Sequence, residues 1–239
     1  MIGFAARSLF TGYGWSFIRH VALPHPLKTL RAIRLAQRAT SAADGAVSTN
    51  SATGNTEKPD GRITGVGFCL KPAENRCPSK GDLHGCNYLE NNFPKRTNKL
   101  PAPCKDCYIR EIGAAALQSG GAFYVMTSAK DILFDVFKPA MDQGVFRHGR
   151  FLLCRYSFQP FLVGLYASGI DGTLYPFCSG DCRDYKTWLK ADRGIKDEQT
   201  SIAAETQAKL AEQIESETDH TGTVVRVERR GNIYYPAFE

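Results

Sequence analysis

Two close cysteine pairs, Cys104-Lys-Asp-Cys107 and Cys178-Ser-Gly-Asp-Cys182, carry the sharpest chemical signal in the chain. Thiolates at such spacings are ligands for zinc or iron–sulfur clusters. Cys69, Cys77 and Cys86 stand upstream with His84 nearby, and Cys154 lies in the apolar run FLLCRY. Eight cysteines would suit disulfides in a small secreted chain, but an α/β pattern over 239 residues needs no staples, so metal or cluster binding is expected. One pair leads a helix and the other ends a strand inside a large α/β frame. That context suits a [4Fe-4S] cluster better than the paired hairpin knuckles of structural zinc. The expected ligands are Cys104, Cys107, Cys178 and Cys182. Cys69, Cys77 and Cys86 are expected to shield this cluster or to help hold a second, with Cys154 or His84 as fourth ligand. Core packing is the other role open to Cys154. Zinc is the alternative metal.

The elements between the pairs must bring them together. Residues 108–119 (YIREIGAAALQS) predict a helix stopped by Gly120-Gly121, with Cys104 and Cys107 at its N-terminus, where the helix dipole lowers thiol pKa values. Residues 122–127 (AFYVMT) predict a buried strand, 131–141 a helix ending near Pro139, 151–156 a second strand, and 160–168 a short helix. Residues 173–177 (TLYPF) predict a third strand and 184–191 a further helix. This alternation predicts a mostly parallel sheet with flanking helices. A helix leading into a parallel strand begins at the carboxyl edge, and Cys178 follows a strand. Both pairs are therefore expected at that edge, where open α/β sheets place their sites. Residues 200–217 predict an amphipathic helix, and Arg229-Arg230-Gly231-Asn232 a hairpin turn.

The fold class expected is thus α/β: a mostly parallel sheet, a Cys-rich irregular segment N-terminal to it, and a C-terminal helix plus β-hairpin. Three regions follow: a basic tether or leader over 1–43, a flexible linker over 44–62 (rich in Ser, Thr, Gly, Ala and Asn), and a Cys-rich cluster-binding domain over 63–239. Residues 1–43 hold Arg7, Arg19, Lys28, Arg31, Arg34 and Arg38 and no acid, which accounts for the whole net charge of +6. The balanced remainder offers no basic groove, so no nucleic-acid partner is expected. The stretch 8–18 is too short to span a bilayer, and 27–40 predicts a basic helix for peripheral contact with an anionic membrane surface or a larger complex. A cytoplasmic location follows from thiol usage.

Other chemistries are weaker. Cys178-x3-Cys182 lacks the third cysteine of a C-x3-C-x2-C set, because Tyr185 occupies that place, and no glycine-rich phosphate loop is present. Thr127, Ser128 and Ser157 at strand ends are anion donors or turn residues. Cys104-x-x-Cys107 resembles the thioredoxin active-site arrangement, which implies a thiol–disulfide redox enzyme. The likeness is confined to the tetrapeptide, since KLPAP before it does not make the strand that fold places there. The function expected is an iron–sulfur protein in electron transfer or in a redox complex, with a zinc-stabilised interaction module and the thiol enzyme as alternatives.

Overall fold

The computed structural model describes residues 12–41, 45–49, 61–72, 77–79, 81–91, 93, 100–196, 198–216 and 224–239. Among them, seven strands form one mixed sheet in the order β1-β5-β4-β2-β3-β7-β6. Four strands are mutually parallel: β2 (Arg62–Gly67), β3 (Ala122–Met126), β4 (His148–Leu153) and β5 (Asp171–Pro176). Antiparallel strands close both ends, β1 (Val47–Ser48) beside β5, and the hairpin β6 (Val224–Arg230) and β7 (Ile233–Phe238) beside β3. Gly231, with φ 61°, takes the left-handed position of that hairpin turn.

The central strand is β2, which the sequence left unassigned between the linker and the irregular segment. Its residues RITGVG are short in strand signal because Gly65 and Gly67 interrupt Ile63, Thr64 and Val66. Tertiary packing selects them instead: a Cβ on Gly65 would meet Phe151 Cδ1 at 2.6 Å, so the aromatic ring of β4 occupies the room a side chain would need. Part of the linker is also strand, since β1 pairs with β5; residues 50–60 lie outside the described residues.

Helices cover both faces. On one, α1 (Gly12–Phe17), α2 (Pro26–Ser41), α6 (Ala129–Ile132), a π turn (Leu133–Phe137), α7 (Lys138–Gln143) and α8 (Arg155–Ser168) surround a core of Tyr124, Leu133, Phe151 and Leu162. Pro139 lies at the start of α7, directly after the π turn, and the helical path from Ala129 continues past it to Gln143. On the other face are α3 (Asn87–Asn91), α4 (Ala102–Lys105), α5 (Tyr108–Gln118), α9 (Tyr185–Asp192) and α10 (Ala204–Ser216). Leu89, Leu117, Phe123, Leu152 and Leu210 fill that core.

The basic helix α2 belongs to the body. It packs along α8, with Thr29, Ala32 and Ala36 buried at helical spacing. Small side chains permit the close approach, and Lys28, Arg31, Arg34 and Arg38 stay exposed on the outer side. Among the described residues, no helix is long and apolar enough to cross a membrane.

Candidate functional site

The carboxyl edge of the sheet carries two separate thiol groups. The first lies where the segment after β2 returns to α5. Cys77, Cys86, Cys104 and Cys107 line one small cavity of about 20 Å³. Cys86 immediately precedes α3, and Cys107 is the N-cap of α5. The backbone N–H groups of the turn that follows favour each sulfur's anion, those of Leu89 and Tyr88 at Cys86 and those of Arg110 and Ile109 at Cys107. Among the described residues, no imidazole or carboxylate lines this cavity. Among the described residues, no group of three or more His, Cys, Asp or Glu is placed so that it could hold a metal ion as it stands. The sulfurs face a common space without meeting in it.

The loop bearing these thiols is tied down by the C-terminal hairpin. The Cys86 N–H donates to Tyr234 Oη at 2.7 Å, and Tyr234 Oη donates to Glu90 Oε1 at 2.6 Å. Arg229 pairs with Asp82 and, at 3.0 Å, with Glu90. Asp82 Oδ1 in turn accepts from the N–H groups of His84 (3.0 Å) and Gly85 (2.9 Å), which closes a tight turn. Lys71 Nζ donates to the carbonyls of Asp82 (2.6 Å) and Gly85 (2.7 Å) from the other side. Lys71 and Arg110 both line the cavity, and Arg110 favours the anions of Cys104 and Cys107.

The second group lies two strands away. Cys69 follows β2 in a single 3-10 turn (Phe68–Leu70), Cys154 follows β4 as the N-cap of α8, and Cys182 lies beyond β5. All three line a cavity of about 90 Å³ walled by Phe177, Trp188 and Phe161. The chain passes from β2 to β3 on one side and later to β4 on the other, so this cavity sits at the sheet's topological switch point.

The four expected ligands therefore do not converge. Both pairs do reach the carboxyl edge, but α5 leads into β3 while Cys178 follows β5. With β4 and β2 between them, three strand steps of roughly 4.8 Å separate the pairs by about 14 Å. Cys178 is exposed, and its Sγ lies 3.1 Å from Ser201 Oγ, away from both groups. Cys154 is not inside a strand; it caps a helix. His84 joins neither group, because Nδ1 lies 2.9 Å from the Val125 carbonyl and Nε2 2.9 Å from Thr127 Oγ1. Thr127 and Ser128 donate to Asp131 (2.9 and 2.7 Å), and Ser128 caps α6, so they serve the turn.

The expected thiolates at Cys104 and Cys107 are also corrected. Burial pushes both thiols up, their thiol neighbours add to this at Cys104, and burial outweighs the helix N–H groups at Cys107. Cys86 is pushed up to about 12, again chiefly by burial. Cys86, Cys104 and Cys107 are thus protonated at neutral pH, and any cation they bind must displace protons. A raised folded-state pKa favours folding below the unfolded thiol range and loses that contribution as pH rises toward 12. We expect the urea midpoint of metal-free protein to fall between about pH 8 and about pH 10.5, and bound metal to abolish that fall because the thiolates are then already ionised. An equal decline with and without metal would contradict this.

No family model matches the chain, and neither curated proteins nor solved structures give a match.

Proposed function

We propose that this chain is an iron–sulfur protein that works in electron transfer or within a redox complex, and that Cys77, Cys86, Cys104 and Cys107 hold its cluster. One observation carries this reading. Four buried or half-buried thiols line one cavity, in a segment whose described regular structure consists of short helices. Four thiolates are the ligand set of [2Fe–2S] and [4Fe-4S] clusters, and a bound cluster supplies one-electron transfer. The chain's own contribution is to fix and tune. Helix-start N–H groups favour the anions of Cys86 and Cys107, Lys71 and Arg110 bring positive charge to the cavity wall, and the Tyr234 and Arg229 contacts hold the loop.

A second reading, a single zinc ion stabilising an interaction module, is favoured by the size of the cavity. About 20 Å³ is room for one atom-sized guest, and a cluster requires the loop to move outward. Anaerobic reconstitution with iron and sulfide separates the two. The cluster reading expects a brown protein with broad absorbance near about 400 nm that bleaches on reduction. Failure to take up iron and sulfide, with uptake of zinc instead, overturns it.

We place the partner surface on α2. Leu23, Leu27 and Leu30 are exposed (71, 82 and 55%) beside Lys28, Arg31, Arg34 and Arg38. A basic helix with exposed leucines suits an anionic membrane surface. At about 1 kcal/mol per cation, replacing Arg31, Arg34 and Arg38 by Gln should weaken sedimentation with phosphatidylserine vesicles at least tenfold. Equal binding to neutral and anionic vesicles would remove the membrane from the account.

A further inference from the structure

We propose that Cys154 and Cys182 form a redox-active dithiol, open to the cavity at the switch point, which exchanges with small disulfides. The inference concerns thiols outside the four-cysteine group, and it stands or falls separately from the iron–sulfur reading.

Three features of the fold converge on this pair. The two side chains line one cavity and each shifts the other's proton affinity, although 28 residues separate them in sequence. Cys154 holds the N-cap position of α8, a helix of 14 residues, so it stands at the positive end of the helix dipole. Its Sγ also lies 3.0 Å from Ser157 Oγ. Both thiols then border the 90 Å³ cavity, which gives a small reagent somewhere to sit against otherwise buried sulfur.

The electrostatics assign different roles to the two. Cys154 is held down to about 7, first by the bond from Cys182 and then by Ser157, against the opposing effect of burial. Cys182 is pushed up, because losing its proton breaks the bond it donates and sets a second charge beside the first. Cys69, the third thiol on the cavity, is pushed up to about 11 by burial and has no comparable donor. Lys196 favours the anion at Cys69 and at Cys182. The nucleophile is thus Cys154 and the resolving thiol Cys182.

The step balances without metal. Cys154 thiolate attacks one sulfur of a disulfide R–S–S–R, forming a mixed disulfide and expelling RS⁻. Cys182 then loses its proton to solvent and attacks the Cys154 sulfur, and a second RS⁻ leaves. The protein dithiol is oxidised by two electrons and the small disulfide is reduced to two thiols.

The test treats full-length protein with oxidised glutathione at neutral pH, followed by alkylation and peptide mass spectrometry. Wild type should give a Cys154–Cys182 disulfide peptide. Cys182→Ser should instead trap glutathione on Cys154, and Cys154→Ser should give neither product. Iodoacetamide should modify Cys154 at least about tenfold faster than Cys69. Cys69→Ser, which leaves the pair intact, should behave as wild type and guards against a folding artefact. Glutathione spread evenly over the cysteines, or an untouched Cys154 in folded protein, would overturn the proposal. So would loss of bound metal in Cys154→Ser, since the pair would then be part of a metal site.

Discussion

Cys86→Ser and Cys107→Ser should each cut bound metal to below about a tenth of the wild-type content, and Cys178→Ser should leave it unchanged. Cys86 and Cys107 line the four-thiol cavity, and both are buried at the start of a helix. Cys178 lies on the surface beside Ser201. A serine hydroxyl keeps the shape but is a harder and far less acidic ligand than a thiolate. Structural thiolate–metal sites contribute on the order of 10 kcal/mol to folding, so losing one thiolate should be felt well beyond the loop. The segment from 68 to 107 should become the first site of proteolytic cleavage in both variants. Full metal retention in Cys107→Ser would remove this site from the account, whatever the other variants did.

Gly65→Val should destabilise the fold by roughly 3 kcal/mol. At Gly65 even a Cβ would come within 2.6 Å of Phe151 Cδ1 and 3.0 Å of Met126 Sδ. Valine adds two methyl groups to that contact. Phe151 is fully buried and leans on Phe161 with ring centroids 4.7 Å apart, so it has nowhere to retreat. The strand is central, paired on both sides, and therefore unable to shift register. Urea unfolding should show a lower midpoint at an unchanged slope. A shift below about 0.5 kcal/mol would mean that the β2–β4 packing is looser than described.

That glycine also explains how far the sequence could be read. The helices and strands from residue 108 onward were legible because their apolar residues keep a period. Tyr108–Gln118 and Ala122–Met126 agree with expectation within one residue, and Asp184 caps α9 where a helix start was expected. The strand β2 was not legible, because Gly65 and Gly67 yield their side-chain space to Phe151 and Phe177. Omitting it had a direct chemical consequence. A sheet without β2 sets β3 beside β4 and draws the Cys104 and Cys178 pairs close together. Inserting β2 between them separates the pairs, seats Cys69 in the Cys154 and Cys182 cavity, and gathers Cys77 and Cys86 with Cys104 and Cys107. Sequence proximity grouped Cys178 with Cys182, yet the chain between them places one on the surface and the other 3% exposed. Spacing identifies thiols suited to a site, and strand order decides which of them share one. The pKa reversal at Cys104 and Cys107 has a similar origin: a helix start is visible in sequence, and the burial that outweighs it is not.

The central claim is that Cys77, Cys86, Cys104 and Cys107 hold an iron–sulfur cluster, and elemental analysis tests it most directly. Full-length protein and its Cys107→Ser and Cys178→Ser variants would be purified without oxygen and assayed for iron, acid-labile sulfide and zinc. The account predicts matching iron and sulfide in the wild type and in Cys178→Ser, and neither in Cys107→Ser. Wild-type protein that carries no iron and sulfide, or that keeps both after Cys107 is lost, would contradict it.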